Sequence, residues 1–141
     1  MIYIQEKYFT KQIDMLHFII EMGEFEIIIW LYPESKIKHL FGLEILTCEK
    51  FQGASVTKYD TPIIKRTIRQ KATLEFIAKL KKSRRVFTQN CDSCVLYKVG
   101  EFNWYAALIG HEGMLLVNDD EKKEEFILNG FNATLEPPDY W

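Results

Sequence analysis

Two of the chain's three cysteines, Cys91 and Cys94, are separated by two residues in the stretch Asn-Cys-Asp-Ser-Cys. Zinc ligands and redox-active dithiols both use this C-x-x-C spacing, so both kinds of chemistry have to be considered. A tetrahedral zinc site needs four ligands, and the sequence has no second C-x-x-C pair. More distant side chains would have to complete the site, and the candidate ligand set is Cys48, Cys91, Cys94 and His111.

The residues around the two thiols argue against redox catalysis. A redox-active thiol is typically activated at the N-terminus of a helix that follows a strand. Residues 95–99, directly after Cys94, instead have the composition of a strand. Asp92 lies between the thiols, where its charge disfavours a thiolate, and both Asn90 and Asp92 are turn formers. The stretch therefore predicts a hairpin turn with two ordinary thiols, and no cofactor or metal ion is expected.

The three histidines are the remaining candidates for nucleophilic or acid–base chemistry. His17 falls on a predicted helix, His39 lies in or near a loop, and His111 lies in the predicted turn from Gly110 to Gly113. Cysteine–histidine catalysis needs an exposed thiol beside the ring and a third group that orients it, and no local signature indicates such an arrangement. Phosphate-binding glycine motifs are also absent from the sequence. The sequence predicts no catalytic residue and a protein that is not an enzyme.

Positive charge is concentrated in one part of the chain. The formal net charge is −2, yet residues 61–90 contain nine Lys and Arg against one acid, which gives +8 there and leaves −10 for the remainder. Five cations lie within seven residues: Lys79, Lys81, Lys82, Arg84 and Arg85. Cations favour a helix C-terminus, but five exceed what capping requires. The cluster predicts a surface that binds an acidic protein or nucleic-acid phosphates, unless it pairs with the chain's own acidic residues at 119–125.

Aromatic and acidic residues complete the predicted partner-binding set. Trp104 supplies a ring for stacking or packing, and Asp119, Asp120 and Glu121 form an acidic run. The sequence pI near 5.9 is atypical for a general nucleic-acid binder. The acidic balance outside the basic segment suits a basic protein partner, such as a nuclease toxin.

The elements that must position these residues are predicted from hydrophobic periodicity and from turn and capping signals. The predicted strands are residues 2–4, 24–32, 40–48, 54–59, 85–88, 95–99, 104–109 and 114–117. The predicted helices are residues 11–22, 62–82 and 120–128, with N-caps at Thr10, Asp60 and Asp119. A β-hairpin is the alternative for residues 11–22. The helix over 62–82 follows the start signal Asp-Thr-Pro, in which proline occupies the first helical position.

The predicted fold is a single α+β domain over residues 1–141. It has a mixed or antiparallel sheet of about five to seven strands, one long basic helix, one or two shorter helices and a short proline-containing tail at 131–141. The chain is 48% hydrophobic and 14% aromatic, enough for a core without disulfides or a metal ion. Three cysteines, no secretory signal pattern and no apolar run of membrane-spanning length predict a cytoplasmic protein with reduced thiols.

Three functional hypotheses follow. The favoured one is a small protein-binding module without catalytic activity, because the profile is similar to that of bacterial immunity proteins, which neutralise toxins. The second is a nucleic-acid-binding protein that uses the cluster at residues 79–85. The third is a small zinc or thiol protein that uses Cys91 and Cys94. No membrane partner is expected, and a homodimer through an exposed strand edge stays open.

Overall fold

The fold consists of a large sheet and four helices in the part of the chain that the computed structural model describes, residues 1–48, 50–54 and 65–140. The strands in these ranges are β1 (Ile2–Gln5), β2 (Phe25–Leu31), β3 (His39–Leu40), β4 (Leu43–Glu44), β5 (Leu46–Thr47), β6 (Arg66–Lys71), β7 (Cys91–Lys98), β8 (Ala106–Ile109), β9 (Met114–Val117) and β10 (Ala133–Thr134). The helices are α1 (Phe9–Ile20), α2 (Leu74–Lys81), α3 (Arg84–Asn90) and α4 (Lys123–Leu128). The predicted α+β class is confirmed.

Eight of the strands form one antiparallel sheet in the order β10-β1-β9-β8-β7-β2-β6-β5, while β3 and β4 form a separate hairpin. β2 and β7 lie near its centre, where Ile29 pairs with Cys94 and Ile27 pairs with Leu96. The apolar run of β2 is buried on both faces, as its composition predicts. The sheet is antiparallel as expected and has one strand more than the predicted range.

The sheet separates two hydrophobic clusters, because successive side chains of a strand point to opposite faces. The larger cluster lies under the helices, where Ile13, Leu16 and Ile19 of α1 pack on strand residues such as Ile27 and Ile29. The smaller cluster, on the opposite face, consists of Ile28, Trp30, Phe51, Ala54, Val95, Tyr97, Ala107 and Ile109.

On the helix-covered face, α1 lies between α4 and α2. Phe18 of α1 contacts Phe126 of α4, with ring centroids 5.0 Å apart. On the other side, Lys81 Nζ of α2 lies 2.7 Å from Asp14 of α1. α4 also contacts β10 at one end of the sheet, whereas α2 follows β6 near the other end. None of the helices in the described ranges is long and apolar enough to cross a bilayer.

The predicted long helix over residues 62–82 is confirmed only over Leu74–Lys81 and is wrong over Arg66–Lys71, while residues 62–64 lie outside the described residues. Arg66–Lys71 forms β6, which pairs with β2, so that Ile68 lies opposite Ile29. Backbone bonding to a central strand outweighs the helical pattern of the segment. α2 begins only after Thr73, whose hydroxyl accepts a hydrogen bond from the Phe76 amide at 3.1 Å. The basic segment therefore contains a strand and two short helices, α2 and α3.

Other boundaries also differ from the predictions. Residues 84–90 form α3, not a strand at 85–88, and residues 40–48 contain three two-residue strands. Tyr8 is the N-cap of α1 in place of Thr10, without a side-chain cap. The strand predicted after Ala54 and the helix start at Asp60 lie outside the described residues. The strands predicted at 2–4, 24–32 and 114–117 and the helix at 11–22 are confirmed, with shifts of one or two residues.

Candidate functional site

Cys91 and Cys94 lie on β7 in the middle of the sheet, and the predicted hairpin turn is wrong. Cys94 pairs with Ile29 on one side and with Leu108 on the other. Both thiols are buried, with 2% and 0% of their surface exposed. Strands on both sides bond the backbone here, so the turn preference of the polar residues is overridden. The chain changes direction one residue earlier, at Asn90, where α3 ends.

Burial also removes the reactivity of these two thiols. It raises the pKa of Cys91 to about 12. The pKa of Cys94 lies well above its usual range, because of burial first and the neighbouring Cys91 second. The thiolate is the form that attacks electrophiles and binds metals, so both groups are inert at neutral pH.

The four candidate zinc ligands are divided between the two faces of the sheet. Cys91 and Cys94 belong to the cluster under the helices, whereas Cys48 packs against the smaller cluster on the opposite face. His111 lies in a 3-10 turn, with Nδ1 3.3 Å from the Tyr32 hydroxyl. Within residues 1–48, 50–54 and 65–140, no three His, Cys, Asp or Glu side chains are grouped to hold a metal ion. The composite site is not assembled.

We expect only one thiol of the folded protein to react quickly with a thiol reagent at pH 8. Cys48 is half-buried and Cys91 and Cys94 are enclosed, although all three are free thiols. A colorimetric disulfide reagent should titrate one thiol per chain in buffer and all three in denaturant. Cys48→Ala should remove the fast phase. A second thiol reacting at the same rate in buffer would contradict the buried placement.

His111 has polar neighbours on both ring nitrogens. Its Nδ1 lies 3.8 Å from Asp92 Oδ1, and its Nε2 lies 3.5 Å from Glu112 Oε1. The turn closes at Gly113, whose φ of +61° and close approach to the Glu6 carbonyl leave no space for a Cβ. An open depression of about 620 Å³ adjoins this turn. His111 and Glu112 therefore lie in a polar turn that is fixed by its surroundings, at the place where the sequence predicts a turn.

The predicted cations come together at the junction of α2 and α3. We call this surface the basic corner: Lys79, Lys81, Lys82, Arg84 and Arg85. Lys79 Nζ donates to the Phe41 carbonyl at 3.1 Å, and Lys81 pairs with Asp14. The side chains of Lys82, Arg84 and Arg85 are exposed and make no hydrogen bond or ion pair with any described residue. Among the described residues only Lys81 of the basic corner has a carboxylate partner, so four cations, Lys79, Lys82, Arg84 and Arg85, remain without a counter-charge.

α3 is attached to the fold by one buried side chain. Phe87 is 1% exposed, and its ring centroid lies 5.5 Å from that of Phe9. Val86 is 43% exposed, and the remaining helix residues are exposed or half-buried. The carbonyl of Asn90 accepts a hydrogen bond from the Tyr32 amide at 2.9 Å, which fixes the end of the helix. The basic corner is thus held in place although most of its second helix faces solvent.

The other predicted binding residues lie elsewhere. Asp119 is the N-cap residue of the 3-10 turn Asp120–Lys122 that precedes α4, but its carboxylate makes no capping bond and instead accepts a hydrogen bond from the Tyr105 hydroxyl at 2.9 Å. Asp120 pairs with the N-terminal amino group, and Glu121 is exposed. Trp104 is half-buried against the smaller cluster, on the face away from the helices. None of these residues adjoins the basic corner.

The acidic run does not pair with the basic corner in the described part of one molecule. Asp120 is tied to the chain terminus that leads into β1, whereas α2 follows β6. Among the described residues, no ion pair or hydrogen bond joins residues 119–125 to the basic corner. The structure therefore gives no support to the alternative of intramolecular pairing.

Two residues of this surface were missed by the sequence analysis. Asp14 pairs with Lys81 from 67 residues away, and no local pattern could indicate that contact. Val86 was assigned to a strand, but Ser83 is in fact the N-cap residue of α3. A serine between two cationic pairs is a possible helix start, and that signal could have placed Val86 beside the cations.

Comparisons of the chain with protein-family models, with curated proteins and with solved structures give no match. Its function is therefore inferred from its own surface and core.

Proposed function

We propose that this protein is a cytoplasmic protein-binding module without catalytic activity, which neutralises a partner in the manner of bacterial immunity proteins. The observation that carries the proposal is the basic corner, where Lys82, Arg84 and Arg85 are exposed and unpaired among the described residues. Like charges held together repel one another, and an acidic patch on a partner relieves that repulsion. The chain outside residues 61–90 carries −10 and steers a partner that is basic overall, such as a nuclease toxin.

The composition of the basic corner suits a protein interface. Arginine is enriched among the residues that dominate binding energy, because its planar guanidinium binds carboxylates in a bidentate manner. Val86, 43% exposed and next to Arg85 in the chain, offers an apolar contact beside the charges. An interface with a small apolar centre and a charged rim is typical of specific protein pairs.

Nucleic acid is the alternative partner for the same cations. Single-strand binding combines cations with exposed aromatic rings on which bases stack. Trp104, the ring in the predicted set, packs on the opposite face of the sheet from the basic corner. This separation favours a protein partner. The third hypothesis, a zinc or thiol protein, loses support because Cys91 and Cys94 are buried in the sheet.

The test is neutralisation of the proteins encoded by the two flanking genes. We expect one of them to arrest growth when expressed alone and to be tolerated when this chain is co-expressed. The variant Arg84→Glu/Arg85→Glu should lose protection and bind the purified partner about tenfold or more weakly. Lys71→Glu is the matched control, since Lys71 is exposed on the face away from the helices.

Two outcomes would overturn this proposal. Equal protection by the wild type and the double variant would show that the basic corner is not part of the interface. Tight binding of a short DNA duplex that weakens steeply between about 50 and about 200 mM salt would show that the basic corner binds nucleic-acid phosphates. The same titration with the double variant shows whether those phosphates contact Arg84 and Arg85.

A further inference from the structure

We propose that the basic corner also binds a second copy of this chain, at its acidic surface, to give a two-fold symmetric dimer. The acidic surface is defined as Asp120, Glu121, Glu124 and Glu125, on the 3-10 turn before α4 and on α4 itself. This inference rests on the proposed role of the basic corner as a docking surface. A second copy occupies that surface in the absence of the neutralised partner, and the two compete for the same cations.

Charge complementarity is the first argument. Glu121 and Glu124 are exposed and form no ion pair with any residue of the described ranges. Among the described residues, Asp120 pairs with the N-terminal amino group and Glu125 pairs with Lys122. α3 thus carries two cations, Arg84 and Arg85, without an ion-pair partner among the described residues, and the acidic surface carries two such carboxylates, Glu121 and Glu124, beside Lys122 and Lys123. No ion pair joins the two surfaces within the described part of one molecule.

The placement of the two surfaces allows both to be satisfied at once. α3 follows α2, so both surfaces lie on the helix-covered face, one on each side of α1. A two-fold axis that lies above the exposed side of α1, parallel to the sheet and perpendicular to the line joining the surfaces, brings each basic corner onto the acidic surface of the other copy. The two contacts are identical, as closed two-fold symmetry requires. α1 of each copy then lies at the centre of the interface.

Apolar side chains accompany the charges on both sides. Ile127 and Leu128, at the end of α4, are 42% and 83% exposed, and Val86 on α3 is 43% exposed. These three side chains supply apolar contact area between the charged groups when the two surfaces meet. The arginines can bind the glutamates in bidentate geometry around this apolar contact. Screening by salt should weaken the dimer, because much of the attraction is between exposed charges.

Sedimentation velocity of paired charge-reversal variants tests the dimer. We expect the wild type to be a dimer at about 50 mM salt and to dissociate at about 500 mM. Arg84→Glu/Arg85→Glu and Glu121→Arg/Glu124→Arg should each be monomeric, with dissociation constants raised about tenfold or more. An equimolar mixture of the two variants should form a one-to-one dimer, because both contacts then join opposite charges. Lys71→Glu should behave as the wild type.

A wild type that is monomeric at low salt, or reversed variants that stay dimeric, would overturn the inference. Circular dichroism of each variant shows whether it is folded, and all four substituted side chains are exposed. If the wild type is monomeric while Arg84→Glu/Arg85→Glu still loses its flanking-gene partner, the proposed function stands and the dimer does not. If the double variant keeps that partner, the proposed function fails as well.

Discussion

Phe87→Ala is expected to lower the free energy of unfolding by about 3–5 kcal/mol. Phe87 is the one buried residue of α3, and its ring lies against Phe9. A Cβ added to Gly110 would lie 3.2 Å from Phe87 Cε1, which shows how closely the neighbouring turn approaches the ring. The strands and α1 that surround the ring are fixed by other contacts, so truncation leaves a cavity. Urea unfolding followed by circular dichroism measures the loss.

Val86→Ala is the matched control in the same helix. Val86 is 43% exposed, so its truncation should change the unfolding free energy by no more than about 0.5 kcal/mol. In Phe87→Ala, the amides of α3 should also exchange with solvent faster than those of α1, since α3 loses its buried side chain and keeps mainly the hydrogen bonds at Asn90. A loss of less than about 1 kcal/mol in Phe87→Ala would contradict this account of how the basic corner is held.

Alkaline solution is expected to unfold the protein, because its buried thiols cannot ionise in the folded state. Burial raises the pKa of Cys91 from 9.0 to about 12, and that of Cys94 also rises. At a pH between the ordinary pKa of a thiol and its raised pKa in the folded protein, the unfolded chain loses thiol protons that the folded chain retains. Stability is therefore complete below pH 9 and falls as the pH rises, by about 1.4 kcal/mol per pH unit for each thiol.

At pH 11, two pH units above its ordinary pKa, Cys91 alone should cost about 3 kcal/mol, a large part of the stability of a marginal domain, and Cys94 acts in the same direction. Tyr97 acts in the same direction above pH 10, because burial raises its pKa and the Trp30 indole opposes this only in part. Urea midpoints measured from pH 7 to 11 under reducing conditions test the slope. Cys91→Ala/Cys94→Ala should flatten it while lowering stability at pH 7. A wild-type profile that is level between pH 9 and 10 would contradict the burial of the thiols.

The strands that the sequence predicted best are those with unbroken apolar runs. Residues 27–31 of β2 and 114–117 of β9 are almost entirely apolar, and the structure buries all of them. A short run of this kind can be buried on both sides only as an inner strand or an enclosed helix, and β-branched residues favour the strand. Local composition was sufficient in these cases.

The failures arose where a distant partner decided the local structure. Thr67, Leu74 and Ile77 share one stripe on a helical wheel, yet Thr67 lies on β6, opposite Trp30. β2 is hydrogen-bonded to a strand on each of its edges, and no short window of sequence shows which segment will supply the second strand. Cys94 shows the same effect, since β2 and β8 make a strand from residues that resemble a turn.

The candidate site could be predicted only in part, again because contacts between distant parts of the chain decide which side chains meet. Consecutive lysines and arginines remain exposed in almost any fold, so the basic corner could be located from sequence. Its relation to the other charges depends on sheet order, which places α2 and α4 on opposite sides of α1. Sequence could therefore name the cations but could not show which acidic residues they reach.

The position of β1 within the sheet has a consequence for biosynthesis. Ile2 pairs with Val117, and Ile4 pairs with Ala133, so the first strand made is held by two of the last. At about 5–20 residues per second, a ribosome needs roughly 6–20 s to proceed from β1 to β9. During that interval α1 has no completed sheet on which to pack, and its apolar face is available to chaperones. The nascent chain should become resistant to protease only after β9 leaves the exit tunnel.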